Sequence, residues 1–349
     1  MTDVKTPAKL PDGSHHVIVK LETIHVPATE LDTTPFSHEQ ITYEYTPPGD
    51  TTLIAERVRN ASIVATTTVP INANTLGDAP FLKCVITETT GTNHIDLEEC
   101  NRRGIVVFSA PGAPVDAVSE HALGLYFAAR RNFVRLHNAL YDYSPSQVNS
   151  WKATGSLSPF IKDAQGQPPH TCGNETVGII GFGAIGQRIA KLCEGLGMTI
   201  LAAERKVTAD GAHGQNPSRV PFDQVIRQAS VLFVILPLTP ETRHIIGRPE
   251  IEVMRSDVVI INVGRGGTID EAALVQGLRE KRIHGAATDV FEVEPAGSVA
   301  DSILLGDEVR HLNLTLTPHL AWCADQTSSN LQQKLKDNVR QFLKQQPST

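Results

Sequence analysis

The sequence has no long run of apolar residues, no long basic block and no closely spaced pair of cysteines. Its longest apolar stretches, such as Val231 to Leu236, are too short to cross a bilayer. The N-terminal MTDVKTPAKLPDGS lacks the apolar centre of a signal peptide. We therefore expect a cytoplasmic protein that has no membrane partner.

The cysteines argue against a metal-binding or disulfide-rich protein, and the charge argues against a nucleic-acid-binding protein. The five cysteines form no CxxC pair, so we predict reduced structural thiols and neither a metal site nor a disulfide framework. The net charge is −7, from 38 acidic and 31 basic residues, which argues against a nucleic-acid partner. A local basic groove formed by folding stays possible.

The length and the first third of the chain indicate an α/β protein with two domains. At 349 residues with 40% hydrophobic and 20% charged residues, the chain can bury two ordinary cores. One helical pattern, Thr52 to Asn60, interrupts a series of strand-like stretches. These are His16 to Leu21, Ile41 to Thr46, Ser62 to Thr68, Phe81 to Thr87 and Ile105 to Phe108. The alternation predicts a small parallel α/β unit.

The rest of the chain predicts a second, doubly wound parallel sheet. A long helical pattern from Ser119 to Asn138 is expected to join the two domains. Further helices are predicted at Ala184 to Leu196 and Glu271 to Lys281. Buried strands are predicted at Val177 to Ile180, Thr199 to Ala203, Val231 to Leu236, Val258 to Val263, Ala286 to Val290 and Leu314 to Leu316. Residues 141–174 fit an arm to a second subunit and a mobile surface loop equally well.

Residues 178–187 read GIIGFGAIGQ and contain a GxGxxG pattern. The glycines follow a predicted strand and open a predicted amphipathic helix, which are the flanks of a dinucleotide-binding turn. Gly181 would permit the tight turn, Gly183 would let the backbone approach the pyrophosphate, and Gly186 would let helix and strand pack closely. The pattern therefore predicts a dinucleotide site.

The end of the next strand bears on the choice of dinucleotide. Glu204 lies roughly twenty residues after the first glycine, where a carboxylate accepts the ribose hydroxyls of NAD. Arg205 and Lys206 follow at once, and two cations could instead hold the 2′-phosphate of NADP. We expect NAD, with NADP as the alternative; three solvated charges at a strand end would explain the same residues.

Three ionisable residues follow the last three predicted strands. They are Arg265 in GRGG, Glu294 in FEVEP and His319 in TPH. In an open parallel sheet, ligands lie beyond the carboxyl ends of the strands, so these residues are expected on one edge. For a 2-oxo acid awaiting hydride, a guanidinium can bind the carboxylate or carbonyl and an imidazolium can supply the proton. The carboxylate would orient the imidazole and favour its protonated form.

Five ordered motifs make the chain resemble the D-isomer-specific 2-hydroxyacid dehydrogenase family. They are VGIIGFGAIGQRIA, LPLTPETRHIIG, INVGRGGTIDEAAL, HGAATDVFEVEP and TPHLAW, and TETTGTNHIDL and GIVVFSAPG resemble the substrate-domain portion. The resemblance covers about Ser62 to Leu343. Within the family, AERK and HLAW are most similar to the glyoxylate/hydroxypyruvate reductase and glycerate dehydrogenase types.

The resemblance implies roles for individual residues. Arg265 would bind and polarise the substrate, His319 would exchange the proton, and Glu294 would partner His319. The substrate carboxylate would meet the amides near Thr90 and Gly91, while Trp322 would line the pocket or pack between domains. The cofactor contacts implied are Gly181, Gly183, Ala184, Ile185, Gly186, Glu204, Arg205, Pro237, Thr242, Val263, Asp289, at the nicotinamide carboxamide, and His319.

The resemblance also implies a domain order and an assembly. Residues 1–118 and 322–349 would form the substrate-binding domain, and residues 119–321 would form the inserted NAD-binding Rossmann domain. The active site would lie in the cleft between two Rossmann-like domains, and the protein would be a homodimer. Ile235 stands where the family often has a histidine, and the segment from Ala153 to Asn174 is longer than usual.

These observations predict an NAD-dependent reductase of a small 2-oxo acid that works reversibly on the D-2-hydroxy acid. One alternative is an NAD-binding corepressor that recruits peptide partners, although the sequence offers no disordered recruiting tail. Another is a reductase for a larger branched or aromatic 2-oxo acid, because the sequence does not define the shape of the pocket.

Overall fold

The structure is a computed structural model that describes residues 3–143, 147–206 and 218–346. Its strands are β1 (His15–Lys20), β2 (Ser37–Thr42), β3 (Ile63–Thr66), β4 (Cys84–Thr87), β5 (Val106–Phe108), β6 (Thr176–Ile180), β7 (Thr199–Ala202), β8 (Val231–Val234), β9 (Val259–Asn262), β10 (Gly285–Thr288) and β11 (Leu314–Leu316). Its α-helices are α1 (Thr51–Val58), α2 (Ala73–Leu76), α3 (Leu97–Arg102), α4 (Val115–Arg131), α5 (Phe133–Tyr141), α6 (Ser150–Thr154), α7 (Ala184–Gly195), α8 (Phe222–Gln228), α9 (Arg248–Val253), α10 (Glu271–Arg279) and α11 (Asp325–Leu343). Short 3-10 helices lie at Ser158–Phe160, Cys172–Asn174, Ile303–Leu305 and Asp307–Val309.

The first of two compact units contains Met1–Pro114 and Cys323–Thr349. Its parallel sheet has the strand order β2-β1-β3-β4-β5. Successive side chains of β1 are buried on opposite faces of the sheet. Val17 and Val19 pack in the same apolar cluster as Ile54 of α1, and Ile18 packs with Val339 of α11. Because helices cover both faces, the strands are buried and apolar.

The second unit, Val115–Trp322, contains a parallel sheet with the order β11-β10-β9-β8-β6-β7. In this sheet β7 lies on one side of β6, and β8 lies on the other. The order therefore reverses at β6, where doubly wound sheets bind their ligands. Apolar clusters cover the two faces, one around α4 and α7 and the other around α8 and α10. The prediction of two doubly wound α/β domains is confirmed.

Two predicted elements are wrong in extent. The second strand covers Ser37–Thr42 instead of Ile41 to Thr46, because an edge strand paired only with β1 tolerates the polar residues SHEQ. The single helix expected from Ser119 to Asn138 is two helices. Asn132 has a left-handed φ of 50°, which ends α4 and starts α5 in a new direction.

All five cysteines are free thiols. Cys84, Cys100 and Cys193 are buried, Cys172 is half-buried and Cys323 is exposed. Burial raises the pKa of Cys84 and, to about 12, that of Cys193, so these thiols stay protonated. Of the helices described, none has both the length and the apolar character needed to span a membrane.

Candidate active site

The register of the last three strands aligns their carboxyl ends. Thr288 of β10 pairs with Asn262 of β9 on one side and with Leu316 of β11 on the other. The loops that follow therefore leave the sheet at one level and on one edge. These loops carry Arg265, Glu294 and His319. The three residues that the sequence predicts as catalytic thus all belong to the second unit.

His319 and Glu294 form a direct pair. Nδ1 of His319 lies 2.6 Å from Oε2 of Glu294, and their side chains are 42% and 32% exposed. The other carboxylate oxygen accepts a hydrogen bond from the Phe291 amide at 2.9 Å. Since Nδ1 is taken by the carboxylate, the Nε2 atom is the one left to meet a substrate.

The pKa of Glu294 reflects this environment. Burial alone would raise it, but the hydrogen bond and charge of His319, the Phe291 amide and the charge of Arg265 together hold the pKa below its usual value. The carboxyl group is therefore ionised at neutral pH. A fixed negative charge therefore lies against Nδ1 of His319.

Arg265 is held by a loop with an unusually close approach between backbones. A Cβ atom at the neighbouring Gly266 would lie 1.7 Å from the carbonyl oxygen of Phe291, so this position excludes any side chain. The buried side chain of Asn262 donates to the Arg265 carbonyl oxygen at 3.1 Å, as does Thr268 at 2.7 Å. The loop that presents Arg265 is therefore packed against the loop that leads to Glu294.

The guanidinium of Arg265 is partly buried and donates to the Gly264 carbonyl oxygen at 2.8 Å. Burial lowers the pKa of Arg265, and the charge of Glu294 opposes that shift. An arginine still carries its charge at neutral pH after such a shift. The structure thus brings together one permanent cation, one carboxylate and one imidazole.

Asp289 anchors the loop that carries His319. Its buried carboxylate accepts hydrogen bonds from the amides of Leu320, at 3.0 Å, and Ala321, at 2.8 Å, and from the Thr317 hydroxyl, at 2.5 Å. The amide of His319 donates to the Asp289 carbonyl oxygen at 2.7 Å. These bonds hold His319 in a left-handed conformation with φ 53°, which is uncommon for a residue with a side chain.

The glycine-rich turn lies between β6 and α7 as predicted. Gly181 has φ 98°, and a Cβ there would lie 2.2 Å from the Ile235 carbonyl oxygen. A Cβ at Gly186 would lie 2.3 Å from the Gly181 carbonyl oxygen, so helix and turn touch through backbone alone. At Gly183, which precedes α7, a Cβ would meet no atom of residues 3–143, 147–206 and 218–346 within 4 Å. Within this part of the chain the space beside Gly183 is open, as a bound pyrophosphate requires.

The remaining predicted cofactor residues lie on the same edge of the second sheet or beside it. Ala184 and Ile185 form the first turn of α7, and Val263 directly follows β9. The exposed Pro237 accepts a hydrogen bond from the Thr242 hydroxyl at 2.6 Å, which closes the loop after β8. These residues keep their proposed roles as predictions.

The charged residues after β7 differ in their surroundings. The Glu204 amide donates to the Val220 carbonyl oxygen at 2.8 Å, and the side chain of Arg205 is exposed. Nζ of Lys206, however, lies 2.7 Å from Oε1 of Glu250. One of the two cations expected to face a 2′-phosphate is thus engaged elsewhere.

The substrate-binding residues predicted from the sequence belong to different units. Thr90 and Gly91 lie in the first unit, in the loop after β4, where the Thr90 hydroxyl is 3.4 Å from the Ala110 carbonyl oxygen. Trp322 ends the second unit, and its indole nitrogen donates to the His319 carbonyl oxygen at 2.9 Å. Trp322 therefore braces the His319 loop, while the substrate roles of these residues stay predictions.

Sequence reasoning missed the polar residues that support the site. Asn262 and Thr268 shape the Arg265 loop, and Thr317 links β11 to Asp289. His121 of α4 places Nε2 3.0 Å from the Thr317 hydroxyl and 3.6 Å from a carboxylate oxygen of Asp289. A polar residue that ends an apolar strand, as in VIIN, is the signal that could have revealed Asn262; the contact of His121 is set by tertiary packing.

Known proteins are similar to this chain in sequence and in structure. Residues 124–321 match the sequence model described as D-isomer specific 2-hydroxyacid dehydrogenase, NAD binding domain. The chain belongs to the D-isomer-specific 2-hydroxyacid dehydrogenase family. It is an NAD(P)-dependent oxidoreductase with an NAD-binding domain, as the resemblance implied.

Individual members of the family align along most of the chain. A glycerate dehydrogenase from Methylorubrum extorquens is 34% identical over 89% of this chain and 91% of its own length. A glyoxylate reductase from Thermococcus litoralis is 30% identical over 84% of this chain and 83% of its own. A solved NADPH-dependent glyoxylate/hydroxypyruvate reductase from Sinorhizobium meliloti, in complex with NADP and malonate, is 25% identical with a TM-score of 0.70, covering 95% of this chain and 94% of that one.

Substitutions in the glycine-rich turn test the cofactor site directly. We expect Gly183→Val to fold, at a cost of about 1 kcal/mol for a β-branched N-cap, and to bind NADH about tenfold more weakly or worse. Fluorescence titration measures the affinity, and thermal unfolding measures stability. Gly186→Val should instead lower the melting temperature, because its Cβ would lie 2.3 Å from a backbone oxygen. Wild-type affinity in Gly183→Val would contradict this reading of the turn.

Proposed function

We propose that this dehydrogenase reduces a small 2-oxo acid of the glyoxylate or hydroxypyruvate type to the D-2-hydroxy acid, reversibly. The observation that carries the proposal is the His319–Glu294 pair at 2.6 Å beside the charge of Arg265. The names of the aligned relatives, a glycerate dehydrogenase and glyoxylate reductases, support the substrate class.

The residues of the second unit fit a dinucleotide. The backbone amides at the start of α7 would hold the pyrophosphate at the open position beside Gly183. Glu204 and Arg205 would face the adenosine ribose, and Asp289 would face the nicotinamide carboxamide. When bound, the nicotinamide supplies or accepts the hydride. The residues of the chain bind the substrate, orient it and move the proton.

Arg265 and His319 divide the remaining chemistry. The guanidinium of Arg265 would bind the substrate carboxylate or carbonyl, with two donors in one plane. The imidazolium of His319 would donate a proton from Nε2 to the carbonyl oxygen during reduction and take it back during oxidation. Glu294 would hold the ring in place and stabilise its charged form, and the amides near Thr90 and Gly91 would receive the substrate carboxylate.

The first test is a steady-state panel of 2-oxo acids with NADH and NADPH. We expect hydroxypyruvate or glyoxylate to be turned over, and Arg265→Ala to lower kcat/KM by about 100-fold or more because the polarising cation is lost. Cofactor affinity should be unchanged. Arg279→Ala, which removes a half-exposed arginine at the end of α10, is the matched control. Wild-type kcat/KM in Arg265→Ala would refute the proposed role.

The second test is the pH profile of reduction. Because His319 must be protonated to donate, the rate should fall as pH rises. Glu294, whose pKa is held below its usual value, is an anion at neutral pH and holds the proton donor through a charged hydrogen bond. In Glu294→Gln the midpoint of the fall in kcat/KM should therefore move down by about one pH unit.

Glu292→Gln is the control for this profile. Glu292 lies in the same loop but pairs with Arg243, so its loss should leave the midpoint unchanged. An unshifted midpoint in Glu294→Gln, or an equal shift in both variants, would show that Glu294 does not act on the proton donor.

We further propose that the protein is a homodimer, built on the surface of α5 and α6. Five apolar side chains in these two helices and in the segment between them are between 42% and 68% exposed: Phe133, Val134, Tyr141, Tyr143 and Trp151. Exposed apolar patches of this kind mark interaction surfaces. The segment after α6 is tied back to the unit, since Asn132 donates to the Phe160 carbonyl oxygen at 2.8 Å. The cytoplasmic location stays a prediction.

Light scattering tests the assembly. The wild-type protein should have twice the mass of one chain at micromolar concentration, and Phe133→Asp combined with Tyr141→Asp should shift it to a single chain. Leu10→Asp, at a similarly exposed apolar residue, should leave the mass unchanged. A wild-type protein with the mass of one chain would end this proposal.

A further inference from the structure

The guanidinium of Arg219 lies against the glycine-rich turn. It lies over the ring of Phe182, 4.0 Å from the centroid, and Phe182 stands between Gly181 and Gly183 in the glycine-rich turn. Its Nη1 atom is buried and donates to no group in the part of the chain that the structure describes. A buried donor without an acceptor is costly unless a ligand supplies one.

The backbone places Arg219 beside the residues expected to read the adenosine ribose. The next residue, Val220, donates to the Ala202 carbonyl oxygen at 2.9 Å and accepts from the Glu204 amide at 2.8 Å. Arg219 thus lies next to the end of β7 through its backbone and next to the glycine-rich turn through its side chain. A phosphate bound in either place would come within reach of the guanidinium.

The neighbouring charges favour one of these two places. Lys206, which the sequence offers as a 2′-phosphate ligand, is paired with Glu250 at 2.7 Å. Arg205 is exposed, and Arg219 is already immobilised by its stacking on Phe182. Arg205 directly follows Glu204, and the residue after Arg219 is hydrogen-bonded to the Glu204 backbone, so two arginines of the described chain lie close to Glu204 along the backbone.

We propose that Arg219 binds the 2′-phosphate of NADPH, with Arg205 as the second cation. The inference rests on the proposed function, because it needs a dinucleotide in the glycine-rich turn. A planar guanidinium fits a phosphate monoester through two parallel hydrogen bonds, and the stacking on Phe182 fixes its plane beforehand. The pyrophosphate is the other phosphate in the cofactor, and it is common to NADH and NADPH.

Binding titrations with two pairs of probes separate the two phosphates. NADPH and NADH differ only in the 2′-phosphate, as do 2′,5′-ADP and 5′-AMP. We expect Arg219→Ala to weaken the binding of NADPH and of 2′,5′-ADP by about tenfold or more, the typical effect of a lost charged hydrogen bond. NADH and 5′-AMP should bind within about threefold of their wild-type affinities.

Two further variants complete the experiment. Arg219→Lys, which keeps the charge and loses the planar fork, should fall between the wild type and Arg219→Ala for NADPH. Lys206→Ala should leave the ratio of NADPH to NADH affinity unchanged, because Lys206 is committed to Glu250. Thermal unfolding of each variant identifies any general loss of structure.

Each outcome has a defined meaning. A selective loss of NADPH and 2′,5′-ADP binding in Arg219→Ala supports the proposal. An equal loss for NADH and NADPH, or no loss for either, overturns it and leaves the dinucleotide site itself intact. If wild-type protein binds neither NADH nor NADPH, it is the proposed function that fails.

Discussion

The site depends on the parallel register that ends β9, β10 and β11 at one level. Asn262, Thr288 and Leu316 lie side by side, so the three loops that follow start from a common edge. Asp289, the first residue after β10, then binds the backbone of the His319 loop through its buried carboxylate. A one-residue shift in any pairing would separate the loops, and the His319–Glu294 contact could not form.

Close contacts between backbones bring together the loops that leave this edge of the sheet. At Gly266 and Gly186 a side chain would overlap a backbone oxygen, so the loops touch with nothing between them. At Gly183 no described residue fills the space, and at His319 the hydrogen bonds of Asp289 impose a left-handed backbone. Glycines in the second unit thus allow loops to touch through their backbones, and at Gly183 a glycine leaves space beside the start of α7 among the described residues.

Much of the fold and of the candidate site was predictable from the sequence, because these features depend on local patterns of residues. Short apolar runs predicted the buried strands, and the GxGxxG pattern predicted the turn between β6 and α7. Arg265, Glu294 and His319 were predicted because each follows the end of a strand. The break at Asn132 was not predictable, since helical spacing continues across it. Contacts between distant residues were also out of reach: Lys206 with Glu250, and Arg219 with Phe182, join parts of the chain that no local pattern connects.

The central claim is that His319, oriented by Glu294, supplies the proton that accompanies hydride transfer. The most direct measurement is a single-turnover experiment in which NADH bound to His319→Gln is mixed with hydroxypyruvate and its oxidation is followed by absorbance. The account predicts that NADH and substrate still bind, while the rate of oxidation falls by about 100-fold or more relative to the wild type. Oxidation at the wild-type rate in this variant would contradict the account.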